Sequence, residues 1–490
     1  MLYTKREIYR RISLNSAMLP DLPEAFLRRM NDQLGAEFDE FVSALNEKPV
    51  VSLRYNPRKP GANFADSGPI PWCEEGIYLS ERPKFYLDPF IYTGAYYVQE
   101  ASSMLIGQCL DYTQDQVVLD LCAAPGGKST LLASRLSPGS LLVSNEIVGN
   151  RARALVDNLS RWGNPNVVVT NNHPRDFSQL RHTFDTIVID APCSGEGMFR
   201  KDPKVIGTWT PGVVRNCALR QKEILGQVMN ALKPGGRLIY STCTYNPTEN
   251  EEIVKWILNH EPGVFKIVPL EFPGEWGLTP GTTEGYPPEL AFTYHCYPHK
   301  VKGEGFYFAC LEKLRPGRDL VMSPSRKRKQ RRHNKRFREE QPERRKIELG
   351  RKEKEVAERY VNSLGDGELS IRKEGFDAVP DQFSGLVEAL GEKLRIIKAG
   401  IRIGTVQKKK FIPDHDLALS ERASSEVPRI EVDANTALHY MKRESLQLEV
   451  GEIRDWAILT YKGRDLGWVK VLDNRVNNHL PKELRLRAEI

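Results

Sequence analysis

Val117-Val-Leu-Asp-Leu-Cys-Ala-Ala-Pro-Gly-Gly-Lys-Ser-Thr130 is the stretch that decides the fold. VVLDL reads as a buried strand, and KSTLLASRL beyond the two glycines reads as a helix. Glycines at a strand-to-helix turn let the backbone approach a ligand, and the helix start offers unpaired amides to it. The loop is not a phosphate-binding P-loop, because Cys122 stands where that motif needs glycine, and it is not G-x-G-x-x-G. The next apolar run, LLVSNE, ends in Glu146, nineteen residues after Gly127. An acid there can accept from both hydroxyls of a ribose, the structural alternative being a cap on the following helix. A glycine loop lacking a pyrophosphate fingerprint, followed by a ribose acid, points to a mononucleoside cofactor such as S-adenosylmethionine.

Outward from this stretch, the apolar runs VVVTN, TIVID, RLIYSTC and GFYFACLEK alternate with helical segments. Such alternation predicts an α/β core whose mostly parallel sheet binds ligands at its strand C-terminal ends. Upstream, residues 15–48 carry apolar positions at helical spacing, with Pro23 suited to a helix start, and VVSLRYNP reads as a strand. Downstream of residue 390, short strands with Gly-containing turns predict small accessory domains. The expected boundaries are an N-terminal unit at 1–80, the core at 81–313, a basic linker at 314–360, an accessory domain at 361–415 and a last domain at 416–490.

At 490 residues, 40% hydrophobic and 28% charged, the chain has the composition of a soluble multidomain protein. The N-terminal MLYTKREIYRRISLNSAML lacks the apolar centre of a signal peptide, and no segment has the uncharged length of a membrane helix. A cytoplasmic protein that does not engage membranes is expected. The eight cysteines form no C-x-x-C pair, so neither a disulfide framework nor a metal site is expected, and Cys296-Tyr-Pro-His299 is read as incidental. Residues 326–338, RKRKQRRHNKRFR, hold nine Lys/Arg and no acid, leaving the remainder near neutral. That block suits phosphate contact and equally suits a solvated linker.

Two cysteines follow sheet strands in DAPCSGEGMFRKDP (190–203) and YSTCTYNPTENEE (240–252). With DLCAAPGGKST, in this order, they resemble the motifs of S-adenosylmethionine-dependent RNA (cytosine-5) methyltransferases, the Nop2/Sun-like family. GAYYVQEASSML (94–105) and HKVKGEGFYFA (299–309) resemble its flanking motifs. FIPDHDLALS and LGWVKVLDNRVNNHLPKELR are similar to the bacterial 16S ribosomal RNA methyltransferase F subgroup, which carries a PUA-like RNA-binding module. The resemblance implies a Rossmann-like methyltransferase core with an N-terminal α+β RNA-binding unit and a PUA-like C-terminal domain. It also implies a monomer acting on ribosomal RNA or the small ribosomal subunit.

The chemistry asks for such residues. Cytosine carbon 5 becomes nucleophilic when a thiolate adds at carbon 6, a polar group must balance the ring charge, and a base must then remove the carbon 5 proton. A Pro-Cys nucleophile, as in DNA cytosine methyltransferases, would select Cys193. The RNA-family resemblance instead implies Cys243 as nucleophile and Cys193 as the residue assisting release, with Asp190 at the base and the cofactor. It further implies cofactor contacts from Cys122, Ala123, Ala124, Pro125, Gly126, Gly127, Lys128 and Glu146. Where the family has an acid near adenine this sequence has His173 beside Asn172, either able to offer a neutral contact. Cys109, Cys122, Cys217 and Cys310 are equally compatible with core packing, and Thr248-Glu-Asn-Glu251 has the form of a helix capping box. Rival readings are transfer RNA or DNA as substrate, and a non-catalytic RNA-binding assembly factor.

Overall fold

A computed structural model describes residues 22–64, 66–317, 357–362, 369–372, 375–407, 410–473 and 475–489. The basic block at 326–338 lies outside the described residues. Helices α1 (Glu24–Leu34) and α2 (Phe38–Leu45) come first, α1 starting at Pro23 as its ring geometry favours. Strands β1 (Val51–Tyr55), β2 (Asp66–Ile70), β3 (Cys73–Leu79) and β4 (Tyr96–Tyr97) form an antiparallel sheet in the order β2-β3-β1-β4. Its fourth strand lies past the expected boundary at residue 80, beyond the short helix α3 (Pro89–Thr93).

The central sheet contains β5 (Val117–Asp120), β6 (Leu141–Asn145), β7 (Val167–Thr170), β8 (Phe184–Asp190), β9 (Leu232–Thr242), β10 (Phe265–Ile267), β11 (Thr279–Pro280), β12 (Tyr294–Cys296) and β13 (Phe306–Lys313). Helices α4 (Gly127–Arg135), α5 (Gly149–Trp162), α6 (Lys204–Thr208), α7 (Pro211–Val228) and α8 (Glu251–His260) lie between its strands. Strands β5 to β9 pair in parallel in the order β9-β8-β5-β6-β7, and β13 closes antiparallel on β9. The strand order reverses between β5 and β8, so the loops after these two strands part and open a crevice at the sheet's C-terminal edge.

Three further sheet segments follow. Strands β14 (Leu369–Arg372) and β15 (Gly375–Ala378) lead into helix α9 (Asp381–Gly391), and β16 (Ile396–Ala399) then pairs antiparallel with β7. An expected accessory strand thus extends the central sheet to ten strands. The physical cause is the open edge of β7, whose backbone groups need partners. Helix α9 seals the same edge by burying Phe383, Val387 and Leu390 in one core with Val168, Phe177 and Leu180. Strands β17 (Ile401–Gln407) and β18 (Lys410–Pro413) complete a sheet with β14 and β15. After α10 (His415–Ala418), the last sheet holds β19 (Arg429–Glu431), β20 (Asp455–Tyr461), β21 (Arg464–Leu472) and β22 (Arg475–Asn478), with α11 (Ala434–Met441) packed on it.

The N-terminal unit is not self-contained either. Its sheet shares a core with the last sheet, through Leu53, Phe90 and Tyr96 against Tyr440, Leu459 and Val469. Its two helices pack instead on the loops that carry the cysteine motifs, with Phe26 5.0 Å from Phe199 and Phe41 5.1 Å from Tyr245, edge to face. Lys59 joins three segments, its Nζ donating to the carbonyls of Thr93, Arg161 and Leu419. Among the described residues no helix is long and apolar enough to cross a membrane.

If α9 belongs to the central core, Leu390→Ala leaves a cavity there and lowers unfolding free energy by about 2–5 kcal/mol. Urea unfolding, followed by the fluorescence of Trp256, which packs against that core, should shift accordingly. An unchanged midpoint would mean that α9 is an independent appendage.

Candidate active site

Strands β8 and β9 run in parallel with Asp190 opposite Ser241, so the loops that leave them start side by side. Cys193 and Cys243, fifty residues apart in sequence, consequently meet with their Sγ atoms 3.2 Å apart, both half-buried. The Cys193 thiol is held well above its usual pKa by its hydrogen bond to Cys243, then by burial and by the nearby Glu249 charge. Asp190 stands three residues before Cys193 at the end of β8, accepting from Ser241 Oγ at 2.9 Å and pairing with Lys128 Nζ at 2.8 Å. Burial opposes the Lys128 ammonium, yet Asp190, Asp120 and Cys243 together hold its pKa above the ordinary lysine value. Lys128 thus links the glycine loop to the cysteine loops.

The glycine loop is fixed by its own backbone. Leu121 N–H donates to the Val188 carbonyl at 3.0 Å and Ala123 N–H to that of Asn145 at 2.9 Å. Arg151 holds the Ala124 carbonyl at 2.8 Å and Asn158 holds that of Pro125 at 2.7 Å, across a cis Ala124–Pro125 bond. Gly126 has φ +121°, a conformation side-chain-bearing residues rarely adopt, and Gly127 begins α4. Asp120 is fully buried; Ser129 donates to Oδ2 while Oδ1 has no partner, and burial pushes its pKa up to about 7. Cys122 packs against the central core, and burial, then Asp120, Asp190 and Glu146, push its thiol pKa upward. Cys109 and Cys310 are buried as packing predicts, and Cys217 is half-buried.

Glu146 is 3% exposed; its Oε1 accepts from Val148 N–H at 2.8 Å and its Oε2 lies 3.3 Å from Arg151. That bond falls at Val148, ahead of α5, which takes no side-chain cap, so the capping alternative weighed from sequence is not met and the carboxylate keeps lone pairs for ribose hydroxyls. The Asn172 side chain is committed elsewhere, since its amide donates to the Arg395 carbonyl and accepts from the Arg395 N–H. His173 caps the short turn Pro174–Gln179, its Nδ1 accepting from Arg175 N–H while Asp176 accepts from His173 N–H.

These residues fit S-adenosylmethionine. Asp120, Glu146 and Asp190 all bear on the Cys122 thiol, so three carboxylates surround the loop where a sulfonium and an ammonium would need negative charge. Glu146 would supply the ribose acceptor, and the unpartnered Asp120 Oδ1 is a buried polar atom at the strand end.

Sequence reasoning missed the groups that hold the two cysteine loops together. The expected Thr248–Glu251 capping box does not form: Glu251 pairs with buried His295 at 2.7 Å, and Asn250 binds Thr242 Oγ1 and the Thr244 carbonyl. Tertiary partners outbid the local bond for these side chains. Glu249 accepts from Ser194 N–H at 2.8 Å, from Ser194 Oγ and from Gln221 at 3.2 Å, while Ser194 Oγ also meets Thr244 Oγ1 at 3.1 Å. Glu196, fully buried, accepts from Arg29, Trp209, Asn246 and the Tyr245 N–H, tying α1 to both loops. Arg54, also fully buried, reaches from β1 to Thr130 at 2.7 Å and lies 4.6 Å from the Trp162 ring, bracing α4. A polar run without amphipathic spacing, NPTENEE, was the one available signal. Among the described residues no group of three or more potential metal ligands occurs.

A switch-point crevice, a glycine loop and an acid-ended second strand define the class: a Rossmann-like methyltransferase that uses S-adenosylmethionine. The solved methyltransferase homologue from Pyrococcus horikoshii matches 60% of this chain and 95% of its own, at 29% identity and a TM-score of 0.52. NSun6 of the same organism, solved with SFG, covers 60% of this chain and 98% of its own at 21% identity and a TM-score of 0.50, a likeness of fold alone. The family model of 16S rRNA methyltransferase RsmB/F matches residues 107–312, and RsmF models of the N-terminal, first C-terminal and PUA domains match 22–101, 357–420 and 427–486. Ribosomal RNA small subunit methyltransferase F of Salmonella agona is 31% identical over 94% of this chain and 96% of its own, and that of Escherichia coli O7:K1 is 32% identical over the same shares. The chain belongs to the RsmF family of RNA methyltransferases.

Burial, partly offset by the Ser194 and Gln221 hydrogen bonds, raises the Glu249 pKa to about 7. The unfolded chain releases that proton nearer the ordinary 4.5, so this carboxyl contributes stability below pH 4.5 and loses it as pH rises through about 7. Glu249→Gln lacks this titration. Its melting temperature relative to the parent should rise between pH 4.5 and 7.5; a flat difference would assign Glu249 an ordinary pKa.

Proposed function

We propose that this chain methylates carbon 5 of cytosine in 16S ribosomal RNA through a covalent adduct at Cys243, with Cys193 assisting release. The observation that carries the reading is the paired thiols, 3.2 Å apart, beside an Asp190–Lys128 pair that borders the cofactor loop. Two thiolates at that distance would repel, so the pair retains one proton. The likeness of the Thr242-Cys243 motif to the RNA-family nucleophile assigns the attack to Cys243 and leaves Cys193 as its helper. A non-catalytic assembly factor would need neither thiol.

Cys243 Sγ bonds to carbon 6, and the displaced electron pair moves into the ring towards carbon 5. Asp190, a third exposed and braced by Lys128 and Ser241, is placed to hydrogen-bond the ring where charge develops. Bound S-adenosylmethionine supplies the methyl group as an electrophile, held by Glu146 and the loop Cys122–Lys128, with His173 towards its base. Release requires loss of the carbon 5 proton and cleavage of the carbon 6–sulfur bond, whose electron pair returns to Cys243. Cys193, in contact with Cys243, is positioned for that stage. The target base must leave any duplex to reach Cys243, so the RNA is engaged unpaired or with the cytosine flipped. The enzyme is read as a cytoplasmic, metal-free monomer acting on ribosomal RNA or the small subunit, as relatives named small subunit methyltransferases suggest.

Incubation with labelled S-adenosylmethionine and small subunits or bare 16S RNA, followed by bisulfite mapping, tests the reading. Cys243→Ala should reduce transfer by at least a thousandfold. Cys193→Ala should accumulate a protein–RNA adduct on a denaturing gel. An adduct that survives in Cys243→Ala and vanishes in Cys193→Ala would reverse the two assignments, and the absence of transfer to any RNA would remove the enzyme reading.

A further inference from the structure

Where β16 seals the central sheet, the C-terminal segments do not close flush on helix α5. They leave a cleft of about 490 Å³, lined by α5, the β16–β17 region, α10 and the segment Pro481–Leu484. It starts at Gly149 and Asn171, at the C-terminal ends of β6 and β7, and so opens on the same sheet edge as Asp190 and Cys243. From β9 to β7 there are four strand steps, placing it about 19 Å across the sheet from the nucleophile. The target base cannot occupy both places.

Four lining side chains carry a buried polar atom without a hydrogen-bond partner: Arg161 Nε, Arg402 Nε, His415 Nδ1 and Asp416 Oδ1. Asp416 is 2% exposed and spends Oδ2 on Lys398 and the Arg402 N–H, leaving Oδ1 unmatched. Buried polar groups ordinarily find partners, so a cluster of exceptions in one cleft marks a place for a polar ligand. His415 is neutral, burial lowering its pKa to about 4. Donors and acceptors are thus interleaved, and Asp157 and Glu483 also line the cleft. A bare anion would not suit that mixture, whereas the edge of a nucleobase presents both kinds of group. At the rim, Arg153 and Arg395 are exposed and within reach of phosphates, Arg395 also donating from its guanidinium to Asn171 Oδ1 at 3.4 Å.

We propose that this cleft receives an unpaired nucleotide of the RNA substrate, flanking the target cytosine, its base edge read by Arg402 and Asp416 and its phosphates by Arg153 and Arg395. The proposal rests on the reading of RNA as substrate. It gives the fusion of the accessory strand to the central sheet a use: the edge pairing of β16 sets the second site at a fixed distance from Cys243.

Charge reversal at the exposed rim, Arg153→Glu with Arg395→Glu, tests it in the full chain. The expected result is a KM for RNA raised at least tenfold and a salt-dependence slope reduced by about two, one per lost phosphate contact. The KM for S-adenosylmethionine, kcat at saturating RNA and the melting temperature should stay unchanged. A KM for RNA within twofold of the parent overturns the proposal, as does weakened binding to assembled subunits with bare RNA unaffected, which would signal a protein contact. Crosslinking of a 4-thiouridine-containing single-stranded RNA to the unsubstituted chain gives a second measure: crosslinks within 395–416 support the cleft, and their confinement to other segments overturns it. Equilibrium RNA binding without cofactor keeps these outcomes separate from failure of methyl transfer.

Discussion

Parallel pairing of β8 with β9 is the constraint on which the rest depends. It sets Asp190 opposite Ser241 and launches two loops in the same direction from adjacent strands, so that two thiols distant in sequence come within contact. Such loops would splay without a tie between them. Buried Glu249 and Glu196 provide it, each collecting hydrogen bonds from both loops or their neighbours. A buried carboxylate is costly unless satisfied, and here its satisfaction requires the loop arrangement that the chemistry needs.

The surrounding domains serve the same geometry. Helices α1 and α2 have no core of their own and instead cover the loop after Cys193 with Phe26 and Phe41, while Arg29 completes the shell around Glu196. Arg54 reaches from the N-terminal sheet to the start of α4, coupling that sheet to the cofactor loop. The C-terminal segments seal the opposite edge. The chain is therefore one interlocked body of several sheets, and a change in an outlying sheet has direct routes to the site.

Much of this was legible because it is local. The alternation of strands and helices, the glycine loop and the acid at Glu146 each follow from residue spacing within a few turns of chain. The partners of Thr248-Glu-Asn-Glu251 were not legible, because a capping box is a local alternative that tertiary contacts displaced. The same holds for β16, an ordinary short strand in sequence, whose place was decided by the unpaired edge of β7. Asn172 offered a free amide on paper and lost it to Arg395, more than two hundred residues away.

By itself, the sequence determined the class of fold, the cofactor loop and the two candidate cysteines, since these rest on periodicity and on residue types confined to short stretches. Only the tertiary structure decided that the cysteines touch, that Lys128 bridges them to the cofactor loop through Asp190, and that the accessory strand belongs to the central sheet. Those outcomes come from burial and edge pairing between segments far apart in the chain, where the cost of an unmatched polar group selects among partners that local sequence leaves equal.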